Sequence, residues 1–257
     1  MLPAGLARAT RERTCHRLAS WQDVNRAGQQ QFKVKRSIER STLEQDGIRT
    51  AVRNAGFGGM LLSDEQLEQS LNAALAQRGN DGPVWVFGYG SLIWNPLLRF
   101  AERRLARVRG YHRGFYLWSK INRGSPEKPG LVLALDRGGS CGGVAYRLHA
   151  DHVMEEFKLL WRREMLARAY LPRWVDAQTD SGKVNAITFV IDRSAPGYTG
   201  RLSDEAIVNI ALGAHGHYGS CAEYLLNTAN SLEQHGICDQ RMRRLARLLA
   251  ARHHQGA

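Results

Sequence analysis

Apolar and polar positions change their rhythm twice along this chain. Residues 1–40 hold no sustained apolar period and carry a glutamine run at Gln29–Gln31. They read as disordered or loosely helical. Residues 41–82 read as helical in two pieces. Thr42 to Asn54 is the first, stopped by Gly56, Gly58 and Gly59. Ser63-Asp-Glu-Gln66 has the form of a capping box, so a second helix is expected over Glu65–Gln77. Asn80-Asp-Gly-Pro83 marks a boundary.

From Val84 the texture becomes that of short strands. Val84–Tyr89, Ala106–Trp118, Leu131–Leu135, Gly142–Leu148, Arg173–Ala177 and Val184–Asp192 are the candidates. Thr179-Asp-Ser-Gly182 is a hairpin turn signal between the last two. One helix, about Asp151 to Ala169, interrupts the strands. Three more are expected over Ser203–Leu212, Ser220–Gln234 and Asp239–Arg252, with Ser220-x-x-Glu223 a further capping box. Strands first, with helices inserted and appended, predict an α+β domain over residues 83–257.

The inserted helix carries the first hint of chemistry. At 100° per residue, Val153, Phe157, Leu160 and Trp161 share one face, and Glu164 falls about 20° from Val153, inside that apolar stripe. A carboxylate there faces the core or a pocket. Burial raises its pKa toward neutrality, which suits a general base or acid. The alternative is a structural salt bridge. Arg162 and Arg163 point elsewhere on an ideal helix, so its partner would come from another element.

The second hint is V-F-G-Y-G-S-L-I-W-N-P, from Val86 to Pro96. Gly88 and Gly90 can adopt backbone angles closed to other residues and let a ligand approach the main chain. Bared N–H groups in succession make an anion-binding nest. A dinucleotide fingerprint fails because position 93 is Ile, and a P-loop fails for want of G-K-S/T. A nucleophile elbow would need glycine at 89 and 93, which are Tyr and Ile. Ser91 is therefore a poor nucleophile, and the turn is either structural or a cradle for a small anion.

Size and charge narrow the field. At 257 residues the chain holds one large domain, or a domain of about 175 residues with an extension. Its apolar runs are too short to span a bilayer. Residues 1–40 contain nine Lys/Arg against three Asp/Glu, half of the net charge of +12. A second basic run lies at Arg241–Arg247. Both read as solvated charge, or as a weak site for an anionic partner. The Arg-rich first twenty residues fit an organelle transit peptide or a disordered tail. Cys15, Cys141, Cys221 and Cys238 form no C-x-x-C pair and read as reduced thiols in a cytoplasmic protein. His215, His217, His253 and His254 lack a metal-ligand context, so no metal is expected.

Together the stretches resemble the ChaC-type, glutathione-specific γ-glutamylcyclotransferases. The matching runs are V-W-V-F-G-Y-G-S-L-I-W-N-P (84–96), K-P-G-L-V-L-A-L (128–135), G-G-V-A-Y-R-L (142–148), W-R-R-E-M (161–165) and A-E-Y-L-L-N-T (222–228). The resemblance implies a small mixed β-barrel with flanking helices. It implies a lyase that splits glutathione into 5-oxoproline and cysteinylglycine without a cofactor. It maps the catalytic carboxylate to Glu164. It maps substrate binding to Val86, Phe87, Gly88, Tyr89, Gly90, Ser91 and Leu92, with Tyr170, Tyr224 and Arg113 as further contacts. Residues 1–40 have no counterpart in it. The rival readings are turnover of other γ-glutamyl amino acids or amines, and a non-catalytic ion-transport regulator or nucleic-acid-associated protein. Oligomeric state has no signal in the sequence.

Overall fold

The computed structural model describes residues 38–79 and 81–255. The sequence-level expectation for residues 1–37 lies outside the described residues. Five strands close a barrel in the order β1 (Trp85–Gly88), β3 (Gly130–Leu148), β2 (Phe100–Ser119), β4 (Tyr170–Thr179) and β5 (Gly182–Ile191). Parallel pairing of β5 with β1 closes the ring. All four residues of β1 are buried, as a strand covered on both faces requires.

Two expected strands are one. Leu131–Leu135 and Gly142–Leu148 are the ends of β3, which stays paired to β2 through Arg137 and Ser140. The glycines between them interrupted the apolar pattern without breaking the ladder. Gly138 and Gly139 take positive φ opposite a register shift at Arg109/Tyr111, a bulge that the glycine-rich sequence permits. The Thr179–Gly182 turn is a hairpin as read, with Gly182 at φ 106°.

The helices are α1 (Arg40–Glu44), α2 (Gly47–Asn54), α3 (Asp64–Ala76), α4 (Ser91–Trp94), α5 (Val153–Glu164), α6 (Asp204–Gly213), α7 (Cys221–Gln234) and α8 (Gln240–Gln255). The expected helix Thr42–Asn54 divides at Asp46, whose φ of 57° leaves the helical region. Both capping boxes form, at Ser63/Gln66 and at Ser220/Glu223. Helix α5 stops at Glu164 and not at Ala169, and β4 begins at Tyr170. Among the described residues no helix is long and apolar enough to cross a membrane.

Three arginines of the C-terminal run are paired, not merely solvated. Arg241 Nε lies 3.0 Å from Asp204 Oδ1, Arg244 bridges the same carboxylate, and Arg243 holds Glu233.

Residues 41–82 share their core with the barrel. Leu67, Leu71 and Ala74 of α3 pack in one cluster with Phe157, Leu160 and Trp161 of α5 and with Val86, Ile187 and Phe189 of the barrel. Trp161 Nε1 donates to Ser70 Oγ, and Trp174 Nε1 donates to the Ala74 carbonyl.

Candidate active site

Strand β1 delivers the chain to a sharp turn and the short helix α4. Neither glycine of the turn has a positive φ. Gly88 lies in β1, and Gly90 has φ −132°. What both supply is room. A Cβ on Gly88 would meet Leu92 Cβ at 2.9 Å, and one on Gly90 would sit 3.3 Å from the Tyr224 hydroxyl. The turn is braced from behind. Tyr146 Oη donates to the Leu92 carbonyl at 2.9 Å, and Thr188 Oγ1 donates to the Phe87 carbonyl at 3.0 Å.

In front of the turn is a cavity of about 860 Å³, within the usual range for small-molecule sites. Tyr89, Gly90, Ser91 and Leu92 line it, as do Glu164, Tyr170 and Tyr224. The structure does not bring Val86, Phe87 and Gly88 to that surface, because they are buried in the barrel wall.

Arg113 also stays behind the wall. Its Nε pairs with Asp239 Oδ2 at 2.7 Å, its Nη1 donates to the Tyr89 carbonyl at 2.5 Å, and its Nη2 donates to the Gly142 carbonyl. Its donors are spent on protein. It holds the turn in place and does not face the cavity.

Glu164 is the last residue of α5, and 16% of its side chain remains exposed. Its partner is the adjacent Arg163, whose Nε lies 3.1 Å from Oε1. The ideal wheel placed these side chains apart. The helix ends here, and the long arginine reaches back across the terminus. Arg163 also donates to the Asn95 carbonyl at 2.6 Å and to Ser91 Oγ at 3.0 Å. It therefore ties the turn to the carboxylate. Burial pushes the Glu164 pKa up, and the Arg163 charge and hydrogen bond pull it partly back.

The tyrosines differ in what their hydroxyls have left to give. Tyr89 donates to the Phe189 carbonyl at 2.9 Å, and Tyr170 donates to the Leu133 carbonyl at 3.0 Å. Tyr224 instead accepts from the Leu133 N–H at 3.2 Å, and among the described residues its own hydrogen is free. Burial raises the pKa of Tyr89 and Tyr170 well above the usual phenol value, and that of Tyr224 to about 12. All three are neutral at pH 7.

Arg123 completes the site and had no sequence signal of its own. Its guanidinium lies 5.8 Å from the Trp94 ring and 5.4 Å from the Tyr224 ring, both in cation–π range. Its Nη1 donates to the Tyr218 carbonyl. Burial lowers its pKa, but a guanidinium remains a cation. The cavity thus presents four cations, Lys120, Arg123, Arg163 and Arg168, and one carboxylate among neutral hydroxyls. It suits an anionic ligand that must also lose or gain a proton.

Comparison with known proteins agrees with this chemistry. The profile of the ChaC-like protein family matches residues 84–252. The chain is 40% identical to the glutathione-specific γ-glutamylcyclotransferase of Escherichia coli, over 77% of this chain and 87% of that one. It is 35% identical to glutathione-specific γ-glutamylcyclotransferase 1 of Mus musculus, over 60% of this chain and 72% of the relative. The fold resembles a crystal structure of a yeast γ-glutamyl cyclotransferase specific to glutathione, with a TM-score of 0.60 and 22% identity, covering 66% of this chain and 96% of that one. The chain belongs to the ChaC-like family.

Proposed function

We propose that this protein is a glutathione-specific γ-glutamylcyclotransferase with Glu164 as its general base and acid. One observation carries the reading: a carboxylate of raised pKa opens into the same cavity as the Tyr89–Leu92 turn. The family's activity supplies the reaction, and we assign each group a role from its position.

The substrate brings its own nucleophile. The α-amine of the glutamyl residue attacks its own γ-carbonyl, closing the five-membered ring of 5-oxoproline and expelling cysteinylglycine. An ammonium cannot attack, so its proton must leave first. Glu164 takes that proton and returns one to the departing amine. A carboxylate whose pKa is raised by burial is better matched to both transfers near neutral pH than a solvated one.

The turn fixes the other end. The first N–H groups of a helix have no acceptor within it, so Ser91 and Leu92 at the start of α4 offer donors to the glutamyl α-carboxylate. Arg123 and Arg163 add positive potential. Tyr224, with its free hydroxyl hydrogen, can donate to the oxyanion that develops on the γ-carbonyl. Tyr170 cannot do so while it holds Leu133, so its part is to fix the wall. Folding a flexible γ-glutamyl chain into a near-attack shape is the remaining task, and the cavity performs it.

The buried thiols of Cys141 and Cys221 are free, which suits the reducing cytoplasm where we place the activity. The test is a product assay. Purified protein is incubated separately with glutathione and with γ-glutamylalanine. We expect 5-oxoproline and cysteinylglycine from the first, and far less 5-oxoproline from the second. Equal turnover of both would refute glutathione specificity, and turnover of neither would refute the activity.

A further inference from the structure

The cavity has a wall that precedes the segment matched by the family profile. Ile48, Val52, Phe57, Met60, Leu61 and Leu62 all line it, and all precede residue 84, where the family match begins.

This wall is anchored to the catalytic elements. Arg40 grips the fully buried carboxylate of Glu156 on α5 through two bonds, Nη1 to Oε2 at 2.9 Å and Nη2 to Oε1 at 2.8 Å. Asn95, just past α4, donates to the Ile38 carbonyl at 2.9 Å. Leu62 N–H donates to the Leu166 carbonyl at 3.0 Å. Leu166 lies two residues after Glu164, so the wall is hydrogen-bonded to the segment that leaves the catalytic carboxylate.

The reaction indicates what meets this wall. With the glutamyl end on the Tyr89–Leu92 turn and the γ-carbonyl beside Glu164, the leaving nitrogen points away from the turn. The dipeptide beyond it enters the rest of the cavity. Lys120 and Arg168 line that cavity and suit a terminal carboxylate. The wall itself is apolar. Phe57 and Leu61 are only half-buried, and Met60 is 56% exposed. A cysteinyl CH₂–SH is too small to cover those three side chains. Uncovered apolar surface joined to a reaction site is where a ligand's apolar part belongs.

We propose that residues 38–62 form a leaving-group subsite that accepts apolar substituents on the cysteinyl sulfur, so that S-alkyl and S-aryl glutathiones are substrates. This rests on the assignment of Glu164 and the turn as the catalytic site. The step is the same cyclisation. The α-nitrogen to γ-carbon bond forms, and the γ-carbon to cysteinyl-nitrogen bond breaks. The α-nitrogen sheds two protons, one before attack and one as the ring closes, and both pass by way of Glu164 to the leaving nitrogen, which departs as an ammonium. The sulfur is untouched, and neither water nor an oxidant is consumed. The products are 5-oxoproline and the S-substituted cysteinylglycine.

The test compares glutathione with S-hexylglutathione on the full chain, following 5-oxoproline. The expected result is turnover of both, with a KM for S-hexylglutathione several-fold below that for glutathione. Phe57→Asp and Met60→Asp then raise the KM for S-hexylglutathione at least tenfold more than the KM for glutathione. Met60 is exposed, so its variant reports even if Phe57→Asp fails to fold. Turnover of glutathione without turnover of S-hexylglutathione overturns the proposal. So does an equal effect of Met60→Asp on both substrates. Glu164→Gln separates the two levels: if it leaves both substrates turning over at the wild-type rate, the site assignment itself has failed.

Discussion

Arg163 Nε lies 3.1 Å from Glu164 Oε1, and the same guanidinium donates to Ser91 Oγ at 3.0 Å. One side chain therefore touches both the proposed base and the substrate-binding turn. It keeps a buried carboxylate ionisable, because an opposite charge this close favours the charged form against desolvation.

Replacing Arg163 with Gln removes that charge. Burial of Glu164 then acts unopposed, and its pKa moves further up. The base must be deprotonated to act, so activity is lost as pH falls through its pKa. We expect the acidic limb of the kcat/KM–pH profile to start above the ordinary carboxylate range in the wild type. It should shift further up in Arg163→Gln, because desolvation then acts without the opposing charge. An unshifted limb would show that Arg163 does not tune the base.

The two cavity tyrosines around Leu133 should separate under mutation. Tyr224→Phe removes the free hydroxyl hydrogen and should lower kcat about 10²-fold, the usual cost of one oxyanion donor. Tyr170→Phe removes a bond to a backbone carbonyl. It should cost about 1–2 kcal/mol of stability and less than tenfold in kcat. Steady-state kinetics with urea denaturation of both variants checks the contrast.

The helix period placed Glu164 on the apolar face of α5 correctly, because that face depends only on positions inside one element. The capping boxes at Ser63 and Ser220 were legible for the same reason. What the period could not show is where α5 ends. No glycine or proline follows Glu164 until Pro172, yet the helix stops at Glu164, where Arg163 pairs with its neighbour. The strand β3 hid behind Gly138 and Gly139, whose effect on pattern resembles a loop. Arg123 and residues 38–62 reach the cavity through contacts distant in sequence, which carry no local period. The glycines of the turn were legible as special, and the structure adds what a side chain there would strike, Leu92 at Gly88 and Tyr224 at Gly90.

Gly90→Ala tests that point. The new methyl would sit 3.3 Å from the Tyr224 hydroxyl and 3.6 Å from Leu133 Cβ. Tyr224 must give way, which disturbs the donor and the turn together. We expect a several-fold rise in KM for glutathione and a stability loss of about 1 kcal/mol. The midpoint of urea unfolding at unchanged slope measures the second.

Arg113→Met distinguishes support from substrate contact. The variant leaves the Tyr89 and Gly142 carbonyls without this donor and strips Asp239 of its ion-pair partner. Loss of these charge-assisted bonds should cost about 2–3 kcal/mol of stability. The urea midpoint should fall accordingly. A substrate contact would give the opposite pattern, a raised KM at unchanged stability.

The central claim is that Glu164 moves the proton in an intramolecular cyclisation, and the rate of 5-oxoproline formation by Glu164→Gln tests it most directly. The amide keeps the shape and the neighbours of the carboxylate and lacks its basicity. The expected result is a folded protein whose kcat on glutathione is lower by about 10²–10⁴-fold. A Glu164→Gln variant that forms 5-oxoproline from glutathione at the wild-type rate contradicts the account.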